Sequence, residues 1–207
     1  MSAVRIGITG PIGCGKSTAA GWLGERPGVV VVDADVVARD VLARGTAELD
    51  AVYARFGRSL ARPDGSLDRA ALGRIVFADP VALRELEAIV HPAVRPRIAA
   101  RLEAADAAGA PAVVIEAIKL VEGGLAELCD EVWLVTCAAE AQLERLVARG
   151  SDPGDAAARI AAQGDLARRL APHAARVLDT SGDRIAARAA VEAALDAALE
   201  AARGRAG

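Results

Sequence analysis

The sequence predicts an α/β fold in which a parallel five-stranded sheet is flanked by helices. Three observations lead to this prediction. Short apolar runs rich in β-branched residues alternate with segments of helical periodicity, as in parallel sheets covered on both faces. A glycine-rich loop separates the first apolar run from the first helical segment. A long, purely helical block lies between the second and third apolar runs, and it predicts an inserted lobe.

The predicted strands are short and continuously apolar. The second reads VVVVD, and such a β-branched run fits a strand that is buried on both faces. The strands are expected at residues 4–9, 29–33, 112–116, 132–136 and 176–179. Because strands alternate with helical segments, we expect a parallel sheet.

The helices outside the inserted block follow these strands. They are predicted at residues 18–25, 36–43, 138–149, 155–170 and 185–202. Asp35 is placed to cap the helix that begins at residue 36. The turn-rich stretch GSDPG, residues 150–154, separates the third predicted helix from the fourth.

The inserted block, residues 45–109, contains no convincing strand. Ser66 and Asp79 are candidate helix caps, and Pro80 suits a first-turn position. Pro92 follows His91 and is expected to interrupt the last helical pattern. The block is therefore predicted to be a separate helical lobe.

Composition excludes several classes of protein. The net charge of −3 and the pI near 5.5 give no overall basic field, so no nucleic-acid partner is expected. Cys14, Cys129 and Cys137 are too few and too scattered for a disulfide scaffold or a zinc site. The chain shows neither a signal peptide nor a run of about 18 apolar residues. We therefore expect a cytoplasmic protein with no membrane partner and reduced thiols.

A phosphate-binding loop is the clearest motif. Residues 10–17 read GPIGCGKS, which matches G-x-x-x-x-G-K-[ST] between a predicted strand and a predicted helix. The glycines let backbone N–H groups turn toward phosphate oxygens, and the following helix directs its positive end at them. Lys16 is expected to reach the β- and γ-phosphates, and the Ser17 hydroxyl is the candidate Mg²⁺ ligand. The predicted nucleotide-binding residues are Gly10, Pro11, Ile12, Gly13, Cys14, Gly15, Lys16, Ser17 and Thr18. Cys14 is read as a small filler, the alternative being an activated thiol.

Two carboxylates follow the second strand. Asp33 and Asp35 lie at the carboxyl end of a parallel strand, where ligands bind in such sheets. They are candidates for coordinating Mg²⁺ through water or for orienting an attacking hydroxyl group. The alternative is that Asp35 only caps a helix and Asp33 is a solvated strand end.

The order of several motifs resembles the dephospho-CoA kinase family. GITGPIGCGKST is followed by VVDADVVARDVL, SLDRAALGRIVF, the pair His91-Pro92, CDEVWLVTCAAEAQLERLVARG, RIAAQ and VLDTSGD. The similarity covers essentially the whole chain. It implies ATP-dependent, Mg²⁺-assisted phosphorylation of the ribose 3′-hydroxyl of dephospho-CoA, the last step of coenzyme A synthesis. It also implies a P-loop kinase fold, and a monomer or weak homo-oligomer.

The resemblance carries roles over to matching positions. Asp35 would be the base that faces the hydroxyl, and Thr9 and Asp33 would support it. Arg145 and Arg149 would clamp the transferring phosphates. Independently, arginines at i and i+4 share one helix face, and their guanidinium groups match phosphate oxygens; the alternative is two solvated arginines.

Some positions depart from the family pattern. The segment EAIKLVE, residues 116–122, stands where the family usually has Pro-Leu-Leu-[Phe/Val]-Glu. Glu122 keeps its place, whereas Lys119 either pairs with the substrate pyrophosphate or is a surface lysine. His91 is expected either to meet substrate phosphate or to cap the preceding helix. Thr180 replaces a frequent asparagine near the adenine, which leaves the choice of nucleotide base open.

These arguments combine into one domain prediction. Residues 1–44 and 110–207 would form the nucleotide-binding core, with a lid near residues 149–172, and residues 45–109 would form the helical substrate-binding insertion. Three alternatives remain at this stage: another small-molecule or nucleoside-monophosphate-like kinase, a GTP-binding switch, and an inactive nucleotide-binding module.

Overall fold

A computed structural model describes residues 2–205 of the chain and confirms the α/β architecture. Five strands form one parallel sheet in the order β2-β3-β1-β4-β5. The strands are β1 (Val4–Thr9), β2 (Val30–Asp33), β3 (Ala112–Glu116), β4 (Glu131–Thr136) and β5 (Arg176–Asp179). Their apolar runs are therefore good guides to strand position.

Helices connect the strands. They are α1 (Lys16–Gly24), α2 (Ala34–Val41), α3 (Ala47–Phe56), α4 (Arg69–Ala78), α5 (Pro80–Ala107), α6 (Ala139–Ala148), α7 (Pro153–Gln163), α8 (Leu166–Leu170) and α9 (Arg184–Arg205). Short 3-10 turns lie at Arg58–Leu60, Leu125–Leu128 and Ala171–His173.

The described chain divides into two compact units. The first contains the residues up to Asp33 and those from Leu102 onward, and the second is Ala34–Arg101. The second unit begins and ends earlier than the predicted insertion of residues 45–109. It therefore includes α2, and α5 runs from the second unit into the first.

The core of the first unit lies on β1 and β4. Ile6, Ile8 and Trp133 are fully buried and belong to one apolar cluster with Leu23 of α1 and Leu195 of α9. Burying each such side chain contributes about 2 kcal/mol. Helices α1 and α9 also contact each other, so this packing fixes the position at which α1 leaves the loop after β1.

An ion pair joins the starts of β4 and β5. Glu131 accepts hydrogen bonds from Arg176 Nε at 2.7 Å and Nη2 at 3.2 Å, and from Trp133 Nε1 at 2.8 Å. The hydrogen bonds from Arg176, helped by the one from Trp133, hold the pKa of Glu131 below its usual value. The charged form of Glu131 is therefore favoured in the folded protein.

Replacing Glu131 with glutamine is expected to lower the free energy of unfolding at pH 7 by about 2 kcal/mol. Because the folded-state pKa is depressed, this stabilisation is present above the unfolded-state pKa of about 4.3 and is lost as pH falls through the lower folded-state value. Urea unfolding of wild type and variant should therefore converge at acidic pH. Glu200→Gln, at an exposed site on α9, is the control, and an unfolding free energy equal to that of wild type at pH 7 would contradict the prediction.

Helix α5 corrects one prediction. It runs for 28 residues with Pro92 and Pro96 inside it, instead of breaking after His91. Proline removes one helical hydrogen bond at each position, but buried side chains four residues apart, at Val90, Val94, Ile98 and Leu102, keep one face packed. Packing therefore outweighs the local cost of proline.

Several helix ends also differ from the predictions. Helix α2 begins at Ala34, so Asp35 lies in its first turn instead of capping it. Asp68, not Ser66, caps α4 by accepting a hydrogen bond from the Ala71 N–H. The single helix expected at 155–170 is two helices, because Gly164 takes a φ of +54° after α7.

Ion pairs link the helices of the second unit. Arg97 of α5 lies 3.5 Å from Glu48 of α3, and Arg101 of α5 lies 3.2 Å from Asp40 of α2.

Across residues 2–205, no helix is long and apolar enough to span a membrane.

Candidate active site

The phosphate loop leaves β1 and ends at α1. Gly10 has a φ of +145°, and a Cβ there would lie 2.1 Å from the carbonyl oxygen of Val135 on β4, so only glycine fits. Gly15 precedes α1 at a φ of +88° and offers no side chain to cap the first turn. The first N–H groups of α1 are thus arranged as in helix N-termini that bind phosphate. Helix α1 starts at Lys16, two residues before its predicted start.

Lys16 lies against its own loop. Its Nζ atom donates to the carbonyl oxygens of Gly10 at 2.9 Å and Pro11 at 3.0 Å, and the residue is only 7% exposed. The loop therefore holds the ammonium group among residues 10–16, at the position from which the motif predicts contact with phosphate.

Ser17 contacts an acid that sequence analysis did not select. Its Oγ atom donates to Glu116 Oε1 at 2.6 Å. Glu116 ends β3, where the register pairs it with Ile8 of β1 and Asp33 of β2. The signal was present, since an acid ending a buried apolar run beside the loop strand is expected at the ligand-binding edge of the sheet.

The other predicted residues at the strand ends have different surroundings. Thr9 is fully buried, and its hydroxyl donates to the Ile118 carbonyl oxygen at 3.0 Å, so it fixes the turn after β3. Asp33 is half-buried beside Glu116 in the register. Asp35 belongs to the second unit, where it is exposed on α2 and its carbonyl oxygen accepts a hydrogen bond from Arg39 Nε.

Arg145 is connected to the phosphate loop through Thr180. Its guanidinium group donates to Thr180 Oγ1 at 3.0 Å and to the Thr180 carbonyl oxygen. The buried Thr180 hydroxyl in turn donates to the Cys14 carbonyl oxygen at 2.8 Å. Thr180 stands where the family often has asparagine, and its hydroxyl group links α6 to the loop.

A cavity of about 330 Å³ opens beside this link. Arg145 of α6 and Arg149, the residue that follows this helix, both line it, together with Thr18 and Trp22 of α1. Arg184 lies over the Trp22 ring, 5.8 Å from its centroid. The arrangement combines cationic groups with an apolar wall, as nucleotide sites do, and it brings the predicted arginine pair to the phosphate loop.

Three further predicted residues belong to other segments of the chain. His91 lines a cavity of about 240 Å³ in the second unit with Arg39 and Arg69. Burial, and then the charge of Arg39, hold the pKa of Arg69 below its usual value. Lys119 and Glu122 are exposed in the turn between β3 and β4.

Two cysteines form a disulfide bond that sequence analysis did not predict. Cys14 of the phosphate loop is bonded to Cys137, which follows β4, over a separation of 123 residues. Such a distant pair leaves no local signal in the sequence. Cys129 is a free, half-buried thiol, and burial raises its pKa to about 12.

Thiol counting tests this pairing. Without reductant, the unfolded protein should react with one maleimide per chain, at Cys129, and after reduction with three. The folded protein should label slowly at pH 8, because a thiol with a pKa of about 12 is almost entirely protonated. Three labels without reductant would contradict the disulfide.

Most of the chain matches a known family of kinases. The family model of dephospho-CoA kinase matches residues 4–185. A dephospho-CoA kinase of Symbiobacterium thermophilum is 49% identical over 178 residues, which cover 86% of this chain and 74% of that protein.

Solved structures share the architecture. The protein TT1252 from Thermus thermophilus superposes with a TM-score of 0.78 at 34% identity, covering 97% of this chain and 98% of that one. A dephospho-CoA kinase from Campylobacter jejuni, 22% identical, has the same fold with a TM-score of 0.64 and covers 94% of this chain and 96% of its own. The loop, its neighbouring arginines and the match over residues 4–185 lead to one conclusion: the chain belongs to the dephospho-CoA kinase family.

Proposed function

We propose that this protein transfers the γ-phosphoryl group of ATP to the ribose 3′-hydroxyl of dephospho-CoA, giving coenzyme A. The observation that carries the proposal is the contact between Ser17 of the phosphate loop and Glu116, in a chain that matches this kinase family from residue 4 to 185. This contact places a carboxylate beside the loop that cradles phosphate. Phosphoryl transfer needs such groups for positioning and for charge stabilisation.

The donor side of the reaction uses the first unit. Residues 10–18 form the phosphate cradle, in which the backbone N–H groups from Gly13 onward bind the phosphates and Lys16 neutralises charge on the β- and γ-groups. Arg145 and Arg149 clamp the transferring phosphoryl group, because guanidinium forks match its oxygens. The cavity beside Trp22 and Arg184 takes the nucleotide base.

The acceptor side uses Asp35 as the base that orients the ribose hydroxyl and accepts its proton late in the transfer. Asp33 and Thr9 support this base, and Glu122 contributes to binding the acceptor. The cavity that His91 shares with Arg39, Arg69 and Glu87 offers two guanidinium groups to one carboxylate, and we propose that an anionic group of the substrate binds to these arginines.

Mg²⁺ fits the oxygen atoms at the loop. Ser17 Oγ and Glu116 Oε1 are hard donors 2.6 Å apart, and Mg²⁺ uses few protein ligands beside phosphate oxygens and water. Residues 2–205 hold no group of three or more acidic, histidine or cysteine side chains that would make a protein-only cage. We propose that Ser17 and Glu116 hold the ion, which would neutralise phosphate charge.

Three further features belong to the proposal. Residues 149–172 act as a lid that excludes water from the transferring group. The protein works as a monomer or weak homo-oligomer, without nucleic-acid or membrane partners. It is cytoplasmic, so the bond between Cys14 and Cys137 meets a reducing environment.

Turnover with purified substrates tests the function. With ATP and Mg²⁺, dephospho-CoA should gain one phosphate at its 3′-oxygen, detected by mass spectrometry and phosphorus NMR. Gluconate, shikimate and adenosine should remain unphosphorylated, and GTP should replace ATP poorly. Transfer to one of these acceptors without transfer to dephospho-CoA would reject the proposal.

Lys119 provides a separate prediction. If its ammonium group pairs with the substrate pyrophosphate, Lys119→Ala should raise the KM for dephospho-CoA about tenfold, the effect of losing one charged hydrogen bond. The KM for ATP should not change. An unchanged KM for dephospho-CoA would show that Lys119 is only a surface residue.

A further inference from the structure

Both glutamines of the chain contact the same residue of the phosphate loop. The sequence contains no asparagine and only two glutamines, Gln142 and Gln163. Gln142 Nε2 donates to the Ile12 carbonyl oxygen at 2.6 Å, and Gln163 Oε1 accepts from the Ile12 N–H at 2.9 Å. Every side-chain amide in the protein is therefore used to hold Ile12.

The two glutamines come from different helices. Gln142 lies on α6 and is 7% exposed, whereas Gln163 is the half-buried last residue of α7. Helices α6 and α7 pack together, and α7 falls within the proposed lid. Ile12 is thus fixed on one side by the core and on the other by the lid segment.

The contact with Gln142 determines the direction of the next peptide group. The Ile12–Gly13 peptide is trans, so its N–H points opposite to its C=O. Since the C=O points to Gln142, the Gly13 N–H points away from α6. A Cβ at Gly13 would lie 3.0 Å from the Gln142 carbonyl oxygen, and the φ of +79° also favours glycine. The loop therefore lies directly on α6.

An uncharged side chain suits this position. A carboxylate at residue 163 would accept the same hydrogen bond but would repel a nucleotide's phosphates. A lysine or arginine at residue 142 would donate the same bond but would attract those phosphates to itself. An amide supplies a donor or an acceptor without either effect.

We propose that Gln142 and Gln163 are positioning residues that clamp Ile12 and couple the lid segment to the phosphate loop. Gln142 turns the Gly13 N–H toward the bound phosphates. Gln163 accepts a hydrogen bond from the Ile12 N–H when α7 lies over the loop. The effect of this clamp on phosphoryl transfer rests on the function proposed above, whereas the hydrogen bonds to Ile12 do not depend on that function.

Gln163→Met tests the lid contact, because methionine keeps the length of the side chain but cannot accept this bond. Ala162→Met, at the exposed neighbouring position of α7, is the matched control. In hydrogen exchange without nucleotide, the Ile12 amide should exchange about tenfold faster in Gln163→Met than in the control, the effect of losing one hydrogen bond. With ATP and dephospho-CoA, the ratio of ATP hydrolysed to acceptor phosphorylated should rise severalfold.

Two more variants separate geometry from charge. Gln163→Glu should keep slow exchange at Ile12, because a carboxylate accepts the bond, but it should weaken MgATP binding about tenfold through repulsion. Gln142→Met should raise the Kd for MgATP about tenfold, with Glu144→Met at an exposed position of α6 as its control.

The results of these experiments distinguish a failure of the clamp from a failure of the proposed kinase activity. If Gln163→Met exchanges at Ile12 like Ala162→Met, and Gln142→Met binds MgATP like Glu144→Met, the clamp is wrong even in an active kinase. If wild type does not phosphorylate dephospho-CoA, exchange and MgATP binding still decide the clamp. Should Gln142→Met fail to fold, the half-buried Gln163 carries the test alone.

Discussion

An enzyme in which asparagine replaces Asp35 is expected to lose about 10³-fold in kcat with dephospho-CoA, while its KM for ATP stays within about twofold. Asparagine keeps the size and polarity of the side chain but cannot accept the proton of the ribose hydroxyl. The proposed nucleotide contacts are made by the loop of the first unit, so ATP binding should not depend on this carboxylate.

Steady-state kinetics at saturating ATP measure this effect. Asp50→Asn, in the first turn of α3 and also exposed, removes one negative charge from the same unit and should leave kcat unchanged. General bases typically contribute at least about 10²-fold to the rate. If kcat of Asp35→Asn stays within about threefold of the wild-type value, the assignment of Asp35 as the base fails.

Lys16→Met should lower kcat/KM for ATP by about 10³-fold, because the variant loses the charge that stabilises the transferring phosphates. Methionine fills similar space along the buried path of the side chain, so the fold should persist and the Tm should change little. Thermal unfolding and kinetics of the same preparation separate these effects.

The control for this variant removes a positive charge far from the loop. Arg203→Met changes an exposed residue near the end of α9 and should keep wild-type kinetics. A Lys16→Met enzyme whose kcat/KM for ATP lies near that of Arg203→Met would refute the role given to the loop lysine.

The strands and the phosphate loop could be predicted because their signals are local. A β-branched run such as residues 29–33 predicts a strand, and the loop motif fixes its own neighbours in sequence. The expectation that this strand is buried on both faces was wrong, because β2 lies at the edge of the sheet and Val31 is exposed. The course of α5 could not be predicted, since the cost of Pro92 is local but the packing that outweighs it involves residues distant in sequence.

The candidate site divides in the same way. Lys16, Ser17, Arg145 and Arg149 were identified from motif and helical spacing, and the structure groups the arginines around one cavity. Glu116 was missed because the only sequence signal for it was its position at the end of an apolar run, which is weaker than a motif. The sheet register and the hydrogen bond to Ser17 then placed it beside the loop.

The bond between Cys14 and Cys137 has a consequence for the unfolded chain. Its 123-residue separation encloses the entire Ala34–Arg101 unit within a covalent ring. In the chain-entropy description, closing a ring of this size stabilises the folded state by about 5 kcal/mol, because a cyclic polymer has fewer conformations to gain on melting. An oxidised molecule therefore denatures into a closed circle with a tail at either end, whereas a reduced one becomes an open, linear coil.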